Sequence, residues 1–209
     1  MNNQKGLTLI EMISVLIVLS IIAVIVTPNI FSSIKDYRSQ LLQTQLDNVK
    51  EASKNWAADN IDKLVGCDES LLSNDKENMV CGALKVDIKE LQEEGYLDDK
   101  LENPRDGGYL DSSNVFVLIT SSYYKDKTGN LSSNYSYKYA VYEDLDDFQI
   151  KMAIKYAKDN KFTGTITTNT LKDKYIVSPI KTTSGTNVTI ETKTIDITND
   201  NEIYKATIK

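Results

Sequence analysis

Between Leu7 and Val26 the chain reads LTLIEMISVLIVLSIIAVIV, an apolar run about as long as a helix needs to cross a bilayer. No other feature limits the fold so strongly, because a segment of this kind needs lipid or protein around its whole circumference. Glu11 interrupts the run one turn from its start. A carboxylate in hydrocarbon costs roughly a few kcal/mol at mid-membrane and less toward the ends. Lys5 and the initiator amine precede the run, so the positive-inside bias keeps the N-terminus in the cytoplasm and carries the C-terminal part across. A cleaved secretory signal has a shorter apolar core, usually about 7–15 residues, closed by small residues. This run is longer and ends AVIVTPN. A plain signal anchor fits the hydropathy but explains neither Glu11 nor Gly6.

The rest of the chain is polar and acidic. The formal charge of -6 disfavours a nucleic-acid backbone as the main partner, since phosphate binding requires dense Lys and Arg, and there is no clear nucleic-acid site. Histidine is absent, which removes the commonest general base, the usual zinc ligand and every His-based triad. Cys67 and Cys81 cannot make a four-thiolate metal site. The phosphate-loop, dinucleotide and nucleophile-elbow glycine motifs are missing as well. The residues point to no enzyme, no catalytic site, no metal and no cofactor.

Beyond Pro28 the apolar residues become one-sided. Phe31, Ile34, Leu41, Leu42, Leu46, Val49, Ala52 and Trp56 recur at helical spacing, and Ile61 and Leu64 extend the pattern toward Gly66. A single rod from Leu7 to Leu64 would measure roughly 85–90 Å at 1.5 Å per residue. Pro28 lacks a backbone donor and crowds the preceding turn, so it should bend or loosen that rod. Trp56 is expected in the core.

The head is expected to begin with a polar loop between Cys67 and Cys81. Outside the cytoplasm a disulfide there would close a loop of about 15 residues, worth about 3 kcal/mol; two reduced thiols are the alternative in a reducing setting. Asp87 and Glu90 have the spacing of a capping box for a short helix that Gly95 ends. Pro104 to Gly108 reads as a turn. Val115 to Thr120 and the alternating Tyr135, Tyr137 and Tyr139 read as strands, with KDKTGN in the connection between them. The tyrosines are read as half-buried strand residues, with an adhesive patch as the alternative. Asp144 opens a helix on which Leu145, Phe148, Met152 and Tyr156 share a face; its acidic start suits the helix dipole, and calcium is the alternative use. From Lys161 onward three to five strands are expected, with turns near Lys172-Asp173, Ser184-Gly185 and Asn199-Asp200.

KGLTLIE, followed by an apolar stretch and Pro28, resembles the N-terminus of type IV pilins and pseudopilins. The short helix followed by GYL, with a proline some residues on, resembles a segment common in the same proteins. The resemblance implies cleavage by a prepilin peptidase between Gly6 and Leu7, and N-methylation of the new amine on Leu7. Leu7 stands where Phe or Met is commoner. Glu11 becomes the fifth mature residue, implied to meet the N-terminal amine of a neighbouring subunit so that two buried charges offset each other. A Glu11 that merely snorkels to the headgroups is the alternative. The implied fold is α+β: a long N-terminal α-helix, membrane-spanning in its first half, packed against an antiparallel β-sheet head. The implied divisions are a leader at 1–6, a spanning and filament-core helix at 7–27, an amphipathic helix at 28–65 and a head at 66–209. The implied partners are the peptidase, other pilin subunits, an assembly platform with its ATPase, and the cytoplasmic membrane before export to a pilus at the cell surface. A pseudopilin of a secretion or DNA-uptake machine, and a surface-binding protein that never polymerises, remain the alternatives.

Overall fold

α1 runs unbroken from Leu9 to Asp59, 51 residues, and Pro28 lies inside it. The computed structural model describes residues 8–65, 80–125, 131–172 and 175–209, and leaves the side chains of 23–32, 80–81, 122–125 and 131–135 outside the description. Two compact units are distinguished: one holds residues up to Thr44 with Glu102–Gly108, the other Gln45–Leu101 with Tyr109–Lys209.

In the first unit most described side chains of α1 are exposed, large apolar ones included. Arg38 donates to the carbonyl of Arg105 at 3.3 Å. The expected turn at Pro104–Gly108 is present. Asn103 accepts the Gly107 amide at 2.9 Å, and Gly107 takes φ 77. This turn joins two short paired strands, β2 (Glu102–Asn103) and β3 (Gly108–Tyr109).

The second unit is built on a four-stranded sheet in the order β5-β4-β1-β7. Its strands are β1 (Val80–Asp87), β4 (Phe116–Lys125), β5 (Leu131–Tyr142) and β7 (Ile180–Thr182). β4 is antiparallel to both β1 and β5, whereas β7 pairs β1 in parallel, so the sheet is mixed where an antiparallel one was expected. Register places Leu84, Ile119 and Tyr139 on one face and Lys85, Leu118 and Ala140 on the other. Both faces are covered, which is why Val115 to Ile119 are buried without alternation.

The long helix packs against one face. Leu46, Val49, Ala52 and Trp56 are buried as the spacing predicts, with Ser53 and Ala57 buried beside them, whereas Ile34 and Leu41, expected in the same stripe, are exposed. Past its end, the Val65 carbonyl accepts the Ser121 hydroxyl at 2.6 Å. A Cβ on Gly82 would meet Val65 Cγ1 at 2.6 Å, so any larger residue there would push the Val65 side chain aside. Trp56 is 0 % exposed, and its indole N–H donates to Glu94 Oε2 at 2.8 Å. The helix ends earlier than the apolar pattern suggests. Asn60 turns its own side chain back onto the Trp56 carbonyl at 2.9 Å, and Ile61–Lys63 continue as one 3-10 turn.

The other sheet face carries Ala83, Phe116, Leu118 and Tyr142 into a core shared with α3 (Leu145–Asn160). That core also takes Ile166, Leu171, Ile195 and Ile197 from the C-terminal segments: β6 (Gly164–Thr167), α4 (Thr168–Lys172) and β8 (Thr194–Asp200), with β9 (Ile203–Ile208) beside β8. Tyr142 and Phe148 stack edge to face at 4.9 Å, and burial pushes the Tyr142 phenol up to about 12. Buried Thr168 donates to buried Gln149 and accepts the Lys193 amide at 2.9 Å, so neither polar group is stranded.

Several expectations change in detail. α2 (Ile88–Glu93) starts after Asp87, but no side-chain capping bond forms there. Asp87 pairs with Lys85, and Glu90 accepts the Thr183 hydroxyl at 2.8 Å. Gly95 does end α2: its φ is 81, its amide reaches the Gln92 carbonyl and that of Tyr96 reaches Leu91. The last hairpin turns on Asn201 and Glu202, at φ 50 and 67, two residues later than expected. Among the described residues four strands follow Lys161, within the expected three to five, and the short α4 was not foreseen. The KDKTGN connection and the Lys172-Asp173 turn lie largely outside the described residues.

Candidate assembly site

The first described turn of α1 is organised by Thr8 and Glu11. The Thr8 carbonyl accepts the amides of Glu11 at 3.1 Å and Met12 at 3.2 Å, which makes Thr8 the cap residue. Glu11 reaches back across the turn. Its Oε2 accepts the Thr8 amide at 2.7 Å and the Thr8 hydroxyl at 2.8 Å, while the same hydroxyl lies 3.4 Å from the Glu11 amide. This is a capping box, and TLIE carries its T-x-x-E signature. The sequence offers Glu11 as a charge in an apolar run and, by resemblance, as a partner for a neighbour's amine; the local partner Thr8 was not foreseen. A carboxylate in the first turn also faces the positive end of the helix dipole.

Downstream, the side chains from Met12 to Ile22 are exposed and mostly apolar, and Leu9 and Ile10 before them are 79% and 72% exposed. The two serines in the stretch are internally satisfied: Ser14 donates to the Ile10 carbonyl at 2.8 Å and Ser20 to that of Leu16 at 2.7 Å. The surface of this stretch is therefore almost purely hydrocarbon. Monomeric soluble proteins rarely show so large a continuous apolar patch, so the segment calls for a covering partner. Among the described residues no helix is long and apolar enough to cross a membrane. The described apolar side chains run from Leu9 to Ile22, about 21 Å at 1.5 Å per residue, and the sequence stays apolar through Val26.

The structure brings Thr8 and Glu11 together but does not describe every residue singled out in the sequence. Gly6, Leu7 and Cys67 lie outside the described residues, as does the side chain of Cys81 on β1. Pro28 is within α1, with its side chain outside the description. The acidic start of α3 is occupied by protein partners. Asp144 accepts the Asp147 amide at 2.7 Å, Asp147 pairs with Lys151 at 2.7 Å, and Asp146 pairs with Lys193. Among the described residues no group of three or more acidic or cysteine side chains is placed to hold a metal ion.

No curated protein and no solved structure matches the chain. The family found at its N-terminus is a structural motif and not an enzyme family. Residues 1–27 match the model described as the prokaryotic N-terminal methylation motif, which is characteristic of prepilin-type cleavage in type IV pilins and pseudopilins.

Proposed function

We propose that the chain is a structural subunit of a type IV pilus. It enters the cytoplasmic membrane through Leu7–Val26 with its N-terminus inside, is cut after Gly6 by a prepilin peptidase and is methylated on Leu7. An assembly platform and its ATPase then draw it into an extracellular filament. The observation that carries this reading is a long helix whose described side chains from Leu9 to Ile22 present bare hydrocarbon to their surroundings, within the matched motif. Lipid covers that surface before assembly, and neighbouring helices cover it afterwards. Glu11 then meets the amine that cleavage creates on an adjacent copy, so each charge offsets the other in a dry environment. Pro28 removes one backbone donor and lets the rod adjust there. Cys67 and Cys81 lie on the outer side, where a disulfide closes the loop between them; alkylation before and after reduction, read by mass, tests it.

Shearing cells and probing the released filaments tests the central reading. The mature chain, lacking residues 1–6, is expected in the filament fraction, and abundance there separates a pilus from the short filament of a secretion machine. Finding the chain only in membranes with residues 1–6 attached would sink the proposal. Glu11→Ala is expected to block incorporation while leaving cleavage largely intact.

A further inference from the structure

We infer that the outer face of α3 is a docking surface for a second copy of this chain, and that it meets the acidic loop after α2 of that copy. The inference rests on the reading of the chain as a filament subunit, and adds which sides of neighbouring heads face one another. α3 buries Phe148, Ala153 and Ala157 on one side. Lys151, Lys155 and Lys158 follow one another at i, i+4 and i+7 on the opposite side, and all three are exposed. Lys151 pairs with Asp147 at 2.7 Å. Lys155 and Lys158 have no ion-pair partner among the described residues.

The loop EEGYLDD, Glu93 to Asp99, carries four carboxylates and no cation. Its Tyr96 hydroxyl donates to Asp59 at the end of α1 at 2.7 Å, which fixes the loop to the side of the sheet that α1 covers. Lysines lie near Glu94 and Glu93, at 3.8 Å and 3.6 Å, whereas exposed Asp98 and Asp99 have no ion-pair partner among the described residues. α3 covers the other side of that sheet. One head therefore shows unpaired cations on one side and unpaired anions on the other. A filament grows by contacts that set one side of a copy against a different side of the next. The formal charge of -6 makes copies repel as wholes, so close approach favours the orientation in which opposite patches meet. Exposed pairs are weak one by one. Repeated at every copy, they decide which sides meet.

Three full-length variants test this in cells, with the mature subunit in sheared filaments measured against its membrane pool. The first joins Lys155→Glu with Lys158→Glu, the second joins Asp98→Lys with Asp99→Lys, and the third carries all four. Each reversed pair is expected to lower incorporation about tenfold, because it sets like charges against each other across the contact. The fourfold variant restores the attraction with its signs exchanged, and should recover most of the loss. Undiminished filaments from either reversed pair, or no recovery in the fourfold variant, overturn the inference. A second measurement needs no substitution. Carbodiimide joins a lysine to a carboxylate that touches it, and digestion of treated unaltered filaments should yield peptides linking Lys155 or Lys158 to Asp98 or Asp99. Absence of those links from filaments overturns the inference as well. Filaments from the unaltered chain that lack these links strike this inference alone, whereas no mature chain in the sheared fraction strikes the pilus reading itself.

Discussion

Two carboxylates in the second unit respond to pH in opposite senses. Asp196 on β8 accepts the Thr165 hydroxyl from β6 at 2.6 Å and pairs with Lys209, just past β9, at 2.5 Å. These partners hold its carboxyl below the usual range, Lys209 first and Thr165 second. Its contribution is therefore present above the unfolded value of about 3.9 and is lost as pH falls through the lower folded value. Asp196→Asn should flatten the acid limb of stability, measured by thermal melts at successive pH values below about 4. Glu90 behaves the other way. Burial raises its carboxyl, although the Thr183 bond opposes the shift. The folded state binds that proton more tightly, so stability declines as pH rises from the unfolded carboxylate range through the folded value. Glu90→Gln keeps an acceptor for Thr183 and should be neutral or stabilising at pH 7, with the gain vanishing in acid. A loss at pH 7 would show that the charge itself is needed.

Elements with an amphipathic pattern were legible from the sequence. The stripe Leu46, Val49, Ala52 and Trp56 has helical period, and α3 announces itself by Asp144 and the Leu145–Phe148–Met152 face. β1 was not legible. VCGALKVD is covered on both faces, so it lacks alternation, and Lys85 looks like a solvent residue. In the fold, Lys85 lies 4.9 Å over the Phe116 ring and pairs with Asp87, which accounts for a cation in that place. α4 is five residues long and too short to show a period. At the candidate assembly site the T-x-x-E spacing is present in the sequence, but the surrounding apolar run drew Glu11 to a membrane reading and its capping role went unread. The last hairpin carries its own prediction. Glu202 sits at φ 67, where only glycine is at ease, so Glu202→Gly should raise stability by about 1 kcal/mol in chemical denaturation. No gain would mean that the turn is held by something other than local backbone preference.

Across the whole molecule, apolar surface is distributed unevenly. The second unit has a buried core on both sides of its sheet, whereas the described large side chains between Leu9 and Ile22 are exposed. A fragment starting at Ser33 should accordingly be monomeric without detergent, and the full chain should require detergent or a filament; sedimentation distinguishes them. Detergent dependence of the fragment would place the exposed apolar surface elsewhere. The parallel pairing of Ala83–Lys85 with Ile180–Thr182 joins segments almost a hundred positions apart. Pairing across such a distance closes late and slowly. A chain emerging N-terminus first therefore carries β1 with one bare flank until Thr182 is out, and bare strand flanks recruit other strands. The bare flank of β1 is thus the place where an interrupted copy would aggregate.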